Sequence, residues 1–254
     1  MRRPLRRPLL LALIVFGLGV AAGAPQRAAA DLAPAARQSA EAPSCRLALI
    51  LALDISNSVD PEEQKLQTQG LARALLDPEV QAAILAPGGA VSAMAFSWSG
   101  IRKQYRIAGW TLLDSEAAIA AFSQRIGERP PHRWGHPTAL GRALAHAAWL
   151  HTQNPYDCGV RVIDVSGDGV NNEGLQPSAY RERGQLADLV INGLVIRNED
   201  PDPLAYYIDE VIQGPGAFAI DIDSYGDYTD AMRRKLLREL SPFFAAAPRD
   251  KQVR

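Results

Sequence analysis

Leu47 to Leu53 is an unbroken apolar run that stops abruptly at Asp54. A strand apolar on both sides of its pleat is buried on both faces, as in the middle of a parallel sheet covered by helices. Further short runs with strand character predict strands over Ala90–Trp98, Lys103–Ile107, Val160–Ser166, Leu189–Ile196 and Ala217–Ile222. Between them lie segments that read as helices, over 61–76, 78–85, 115–126, 138–151, 178–188, 203–212 and 230–240. Asp60-Pro61-Glu62-Glu63 is a helix start, with Asp as cap, Pro at the first helical position and Glu at the third. Asp114 or Ser115 caps the helix that follows the third strand, and a hairpin turn is expected at Ser99-Gly100. The helix from Thr138 is rich in small residues (Ala139, Gly141, Ala143, Ala145, Ala147), which lets it approach a sheet closely. No internal repeat or heptad pattern is visible. Strands alternating with helices predict an α/β fold: a doubly wound, mostly parallel six-stranded sheet with helices on both faces.

The ends of the chain have a different composition. Arg2, Arg3, Arg6 and Arg7 precede an apolar stretch from Leu9 to Ala22, and small-residue cleavage sites follow at Ala24 and Ala30. That is the layout of a secretory signal over 1–30, and the apolar stretch is short of the roughly 20 residues a membrane span needs. Retention as an anchor is the other reading. Residues 31–43, rich in Ala, Pro and Gln, read as a linker; 44–241 form the domain and 242–254 a tail. Taking the five arginines of the first thirty residues from the total of 27 basic residues leaves 22 against 28 acidic ones, a net charge of −6. An acidic mature chain argues against nucleic acid or an anionic membrane as partner. Export of this kind points to the periplasm.

Ligands of open α/β sheets bind just beyond the carboxyl ends of the strands. Asp54, Ser56 and Ser58 stand at that end of the first strand and offer a carboxylate and two hydroxyls from alternate residues of a turn. Oxygen-only donors suit a hard cation such as Mg²⁺. Alone, the same residues make an ordinary Asx or Ser turn. Cys45 and Cys158 stand nine and ten residues before Asp54 and Asp168. If their strands are parallel neighbours, the sulfurs meet at one depth and export favours a disulfide over two thiols. Asp164, in the middle of its strand, must be paired if buried. It is expected either to support a cation site or to accept from a helix N-terminus. Trp98 and Trp134 fall near the same end of the sheet, as partner-facing aromatics or as loop packing. His132 and His136 are four apart but lie in a Pro-broken loop, so they read as loop histidines rather than zinc ligands. His146 and His151 are expected on the surface of their helix.

Asp54, Ser56 and Ser58 in D-x-S-x-S, Thr138 in Gly135-His136-Pro137-Thr138, and Asp168 in Ser166-Gly167-Asp168-Gly169 follow one another in a familiar order. From about Ser44 to Leu240 the chain resembles a von Willebrand factor type A domain, and these five residues resemble its metal-ion-dependent adhesion site. The runs VIDVSGDGVNN and INGLVI are similar to a bacterial family of exported type A-like domains of uncharacterised function. The resemblance implies a Mg²⁺ site, with Mn²⁺ or Ca²⁺ as substitutes, in which neutral hydroxyls leave the cation able to accept an Asp or Glu carboxylate from a protein partner. It implies a binding module rather than an enzyme. Gly167 departs from the pattern, standing where a Thr is usual. The alternatives are a metal-free structural domain and a phosphohydrolase. Against the latter, Ser56 stands where an aspartyl phosphatase has its general acid, and no Gly-rich phosphate loop or nucleophile elbow occurs.

Overall fold

The computed structural model describes residues 45–132, 136–197 and 200–241. The expected signal segment, linker and tail, and Trp134, lie outside them. Six strands form one sheet in the order β3-β2-β1-β4-β5-β6: β1 Cys45–Asp54, β2 Ala90–Trp98, β3 Gln104–Leu113, β4 Cys158–Gly167, β5 Val190–Ile196 and β6 Ala219–Ile222. All neighbours are parallel except β2 and β3, which form the expected hairpin. The helices are α1 Pro61–Leu75, α2 Pro78–Ile84, α3 Glu116–Gly127, α4 Leu140–His151, α5 Pro177–Glu182, α6 Pro203–Tyr206 and α7 Tyr228–Glu239.

The central place of β1 follows from its sequence. Leu47, Leu49, Leu51 and Leu53 point to one side, where Leu71 and Leu75 of α1, Phe122 of α3 and Leu236 of α7 complete a core. Ile50 and Ala52 point to the other, against Leu140, Leu144 and Ala147 of α4. Burying each large aliphatic side chain contributes about 1.5–3 kcal/mol, so the all-apolar run is stable only in the middle of the sheet. Asp60 caps α1 as predicted, with Glu63 Oε2 returning to accept the Asp60 N–H at 2.8 Å.

Local details differ from the sequence reading where the backbone departs from regularity. β3 runs six residues beyond Ile107, because a register shift opposite Ala95 absorbs the irregularity around Gly109 and the ladder resumes. α5 is shorter than expected and is followed by Gly184 at φ 70°, a left-handed conformation that stops a helix. The helix expected over 203–212 is α6 followed by a π-helical turn, Tyr207–Val211, closed by the Ile212 N–H donating to Tyr207 O at 3.0 Å. His151 is buried at the end of α4, facing β4 with Nε2 at 3.2 Å from Val162 O, not on the surface.

The floor of the domain, at the amino ends of β1 and β4, is held in two ways. Cys45 and Cys158 are register partners and form the disulfide. Beside them the Arg46 guanidinium donates to Ala83 O and Ile84 O in the last turn of α2, to Gly89 O and to Leu240 O. A cation there satisfies carbonyls at the C-terminal ends of α2 and α7 and opposes their dipoles. Among the described residues, no helix is long and apolar enough to cross a membrane.

Candidate functional site

From β1 the chain passes through α1 to β2 on one side of the sheet; after β3 it packs α3 on that same side and then crosses through α4 on the other face to reach β4. The winding therefore reverses between β1 and β4, and the crevice beyond their carboxyl ends is where such sheets bind ligands. Asp54 closes β1 in that crevice and is fully buried. The Ser56 N–H donates to its Oδ1 at 2.7 Å, and the Ile55 N–H is taken by Trp98 O at 2.8 Å. The turn then brings the Ser58 hydroxyl to Asp168, where it donates to Oδ1 at 2.5 Å, with the Ser56 and Ser58 oxygens 3.4 Å apart.

Thr138 precedes α4 and is held from the loop after β4. Asn172 Oδ1 accepts the Thr138 N–H at 2.8 Å, and Thr138 O accepts the N–H groups of Asn172 and Glu173. Asn171 Oδ1 accepts the Gly141 N–H at 2.9 Å, meeting one of the unpaired donors in the first turn of α4. A Cβ placed on Gly169 would lie 3.5 Å from Thr138 Oγ1 and 3.9 Å from Ser58 Oγ, so these hydroxyls face the same small space. Asp54, Ser56, Ser58, Thr138 and Asp168 are thus drawn together from three loops.

The donor chemistry fits a hard divalent cation. Two carboxylates and three hydroxyls converge without nitrogen or sulfur; among the described residues no group of three or more His, Cys, Asp or Glu that could hold a metal gathers anywhere, this crevice included. Asp54 Oδ2 is buried without a hydrogen-bond partner. Burial, then the charge of Asp168, push the Asp54 carboxyl well above the usual carboxylate range, against the hydrogen bonds from Ser56 and Ile55. A positive charge between the two carboxylates would reverse that penalty.

Several supports were not visible in the sequence. Gln67 of α1 is fully buried; its Nε2 donates to Asp54 O at 2.8 Å and its Oε1 accepts from Ser166 at 2.8 Å. Its only sequence signal is an amide among the inward positions of an amphipathic helix. The Tyr207 and Tyr225 hydroxyls are buried without partners, and the charges of Asp54 and Asp168, after burial itself, push both phenols well above their ordinary range. Gly167 has a local reason: a Cβ there would come within 2.8 Å of both Asp54 Oδ2 and the Tyr207 hydroxyl.

Two expectations are corrected. Trp98 is not partner-facing; it is fully buried and packs on the α4 side with Phe96 and Leu140, because alternation from Met94 and Phe96 turns it inward. Asp164 supports neither the crevice nor a helix start. It lies about 13 Å down the strand from Asp168 and its carboxylate meets Lys235 Nζ of α7 at 2.8 Å. His132 stacks on Tyr105 with ring centroids 4.4 Å apart, and Gln64 Oε1 accepts its backbone N–H.

Known structures place this architecture. A von Willebrand factor type A protein from Catenulispora acidiphila superposes with a TM-score of 0.56 at 14% identity, covering 77% of this chain and 43% of that one. Proximal thread matrix protein 1 from the mussel byssus, in a structure with a zinc-occupied MIDAS motif, gives 0.52 at 14% identity, covering 78% and 49%. The pilus adhesin SpaC from Lactobacillus rhamnosus GG gives 0.53 at 12% identity, covering 77% and 30%. The chain therefore spans less than half the length of each. No curated protein matches it. The fold is that of a von Willebrand factor type A domain, and with a family model matching residues 44–243, the chain belongs to DUF1194, a family described as a protein of unknown function.

Proposed function

We propose that the domain is an exported protein-binding module in which Asp54, Ser56, Ser58, Thr138 and Asp168 hold a divalent cation, Mg²⁺ by preference, with Mn²⁺ or Ca²⁺ as substitutes. The observation that carries the reading is the convergence of two carboxylates and three hydroxyls at the sheet's switch point, with the buried Asp54 Oδ2 unpartnered. The cation supplies an electrophilic position that accepts an Asp or Glu carboxylate of a protein partner. The chain's residues supply the rest. The Ser56 N–H fixes one oxygen of Asp54, Ser58 fixes one of Asp168, and Asn172 fixes the backbone at Thr138. Neutral hydroxyls keep the donor set electron-poor, which is what acceptance of an outside carboxylate requires. The disulfide and the signal-like N-terminus support an oxidising, periplasmic location. The type A neighbours, one of them an adhesin, support binding rather than catalysis.

The test is metal-linked stability of the oxidised full-length chain. A ligand that binds only the native state at a hundredfold excess over Kd adds about 2.7 kcal/mol. Thermal unfolding in millimolar Mg²⁺ or Mn²⁺ is expected to shift upward relative to EDTA, and the shift is expected to vanish in Asp54→Ala. Superimposable curves with and without the ions would refute the cation site.

A further inference from the structure

The cation reading assigns no task to the Tyr207 hydroxyl, which is buried beside the crevice without a hydrogen-bond partner. This residue opens the π-helical turn between β5 and β6 and is fully buried on the α4 side of the sheet. Wide turns of this kind often mark functional positions. The path of its side chain is cleared by two glycines on neighbouring strands. A Cβ at Gly193, inside β5, would strike the ring at 2.8 Å from Cδ1, and one at Gly167, ending β4, would lie 2.8 Å from the hydroxyl. Gly193 pairs in register with Val165, two residues before Gly167. The ring thus crosses β5 at one glycine and ends over β4 at the other.

At that end stands Asp54. The point 2.8 Å from the Tyr207 hydroxyl is also 2.8 Å from Asp54 Oδ2, and both atoms are buried without hydrogen-bond partners. A tyrosine hydroxyl is an O–H donor and a carboxylate oxygen is an acceptor, so the two buried groups are chemically matched. A phenylalanine would fill the same room without burying a hydroxyl, and a glycine inside an otherwise branched strand weakens it. Both costs are accounted for if the hydroxyl has a task.

We propose that Tyr207 is a positioning residue for Asp54. Its hydroxyl, passing Gly193 and Gly167, donates to the carboxylate oxygen that the Ser56 N–H leaves open. The two atoms flank the same point beside Gly167 without yet being bonded to each other, and the bond requires the Asp54 carboxylate to turn toward the phenol. With Ser56 on Oδ1 and Tyr207 on Oδ2, the carboxylate is gripped at both oxygens and its remaining lone pairs are aimed into the crevice. The inference rests on the cation reading and deepens it.

The experiment measures Mn²⁺ binding by titration calorimetry on the oxidised full-length chain, wild type beside Tyr207→Phe, and records the tyrosine difference absorption as Mn²⁺ is added. Loss of a hydrogen bond behind a metal ligand typically weakens affinity 10- to 100-fold. Tyr207→Phe is expected to bind Mn²⁺ at least about tenfold more weakly while its far-ultraviolet dichroism is unchanged. The Mn²⁺-induced tyrosine signal of the wild type is expected to be lost with it, which simple loss of packing would not produce. Wild type binding Mn²⁺ with Tyr207→Phe equal to it overturns the role of Tyr207 alone. Wild type failing to bind either Mn²⁺ or Mg²⁺ overturns the cation site and this inference together.

Discussion

Lys235→Ala is expected to destabilise the protein by about 3–5 kcal/mol, because it strips the cation from a buried cluster and leaves its carboxylates behind. Lys235 sits on the inner side of α7 with no exposed surface, 2.8 Å from Asp164 Oδ2 and 2.7 Å from Glu239 Oε1. Asn192 of β5 donates to the same Glu239 oxygen at 2.7 Å. For a domain of this size the loss corresponds to roughly 10 °C in Tm, readable by thermal or urea unfolding at pH 7. Replacing all three charged residues together, Asp164→Leu, Lys235→Met and Glu239→Leu, is expected to cost much less, since a buried ion cluster and a well-packed apolar one are often close in stability. A Lys235→Ala variant within 1 kcal/mol of wild type would show that the cluster finds water or another partner.

The same cluster sets a pH dependence with a definite sign. Burial raises the Asp164 carboxyl to about 7, Lys235 opposing that and Glu239 adding to it. The folded state then holds a proton that the unfolded chain releases at ordinary carboxylate pH. Between about pH 4 and pH 7 the native state binds more protons at this site, so its contribution to stability falls as pH rises, by at most about 1.4 kcal/mol per unit, and levels off above the folded pKa. Urea titrations of wild type at pH 5 and pH 8, beside the triple apolar variant, isolate this contribution. The variant is expected to lose part of the decline.

Removing the disulfide with Cys45→Ser and Cys158→Ser is the second large effect. The bridge closes a loop of 113 residues, and the chain-entropy estimate for a loop near that length is about 4–5 kcal/mol. The urea midpoint of the double variant is expected to fall accordingly and to become insensitive to reducing agent, whereas that of wild type drops when reductant is added. Mn²⁺ affinity at a saturating native population is expected to change little, because the bridge lies about 30 Å of strand away from Asp54. An unchanged midpoint would mean that the reduced unfolded chain is already restricted to the same degree.

What could be read from the sequence, and what could not, divides along the distance over which the physics acts. Burial on both faces writes itself into consecutive residues, so β1 and its central place were legible in Leu47 to Leu53. The cap of α1 and the turn of Asp54, Ser56 and Ser58 are local too. Thr138 and Asp168 joined them only through the order of a known pattern, since nothing local says that three loops meet. Lys235 was illegible for the opposite reason. On an amphipathic helix a lysine belongs by default to the wet face, and only the tertiary contact with Asp164, 71 positions earlier in the chain, turns it inward. By its sequence pattern Tyr207 falls inside a regular helix, because the widening of that turn has no pattern of its own. Gly193 and Gly167 were the available hints, since a glycine within a strand often means that something passes close by.

The clamp around Arg46 has a further consequence. By donating to Leu240 O it ties the first strand to the end of the last helix, so the described domain begins at Cys45 and finishes at Ser241 side by side, at the pole opposite Asp54 and Asp168. An affinity handle or surface anchor joined to either end therefore pulls on the same spot and leaves the crevice facing outward. Immobilised through one end, the domain presents the carboxyl ends of its strands to solution, and a soluble partner can approach without meeting the support.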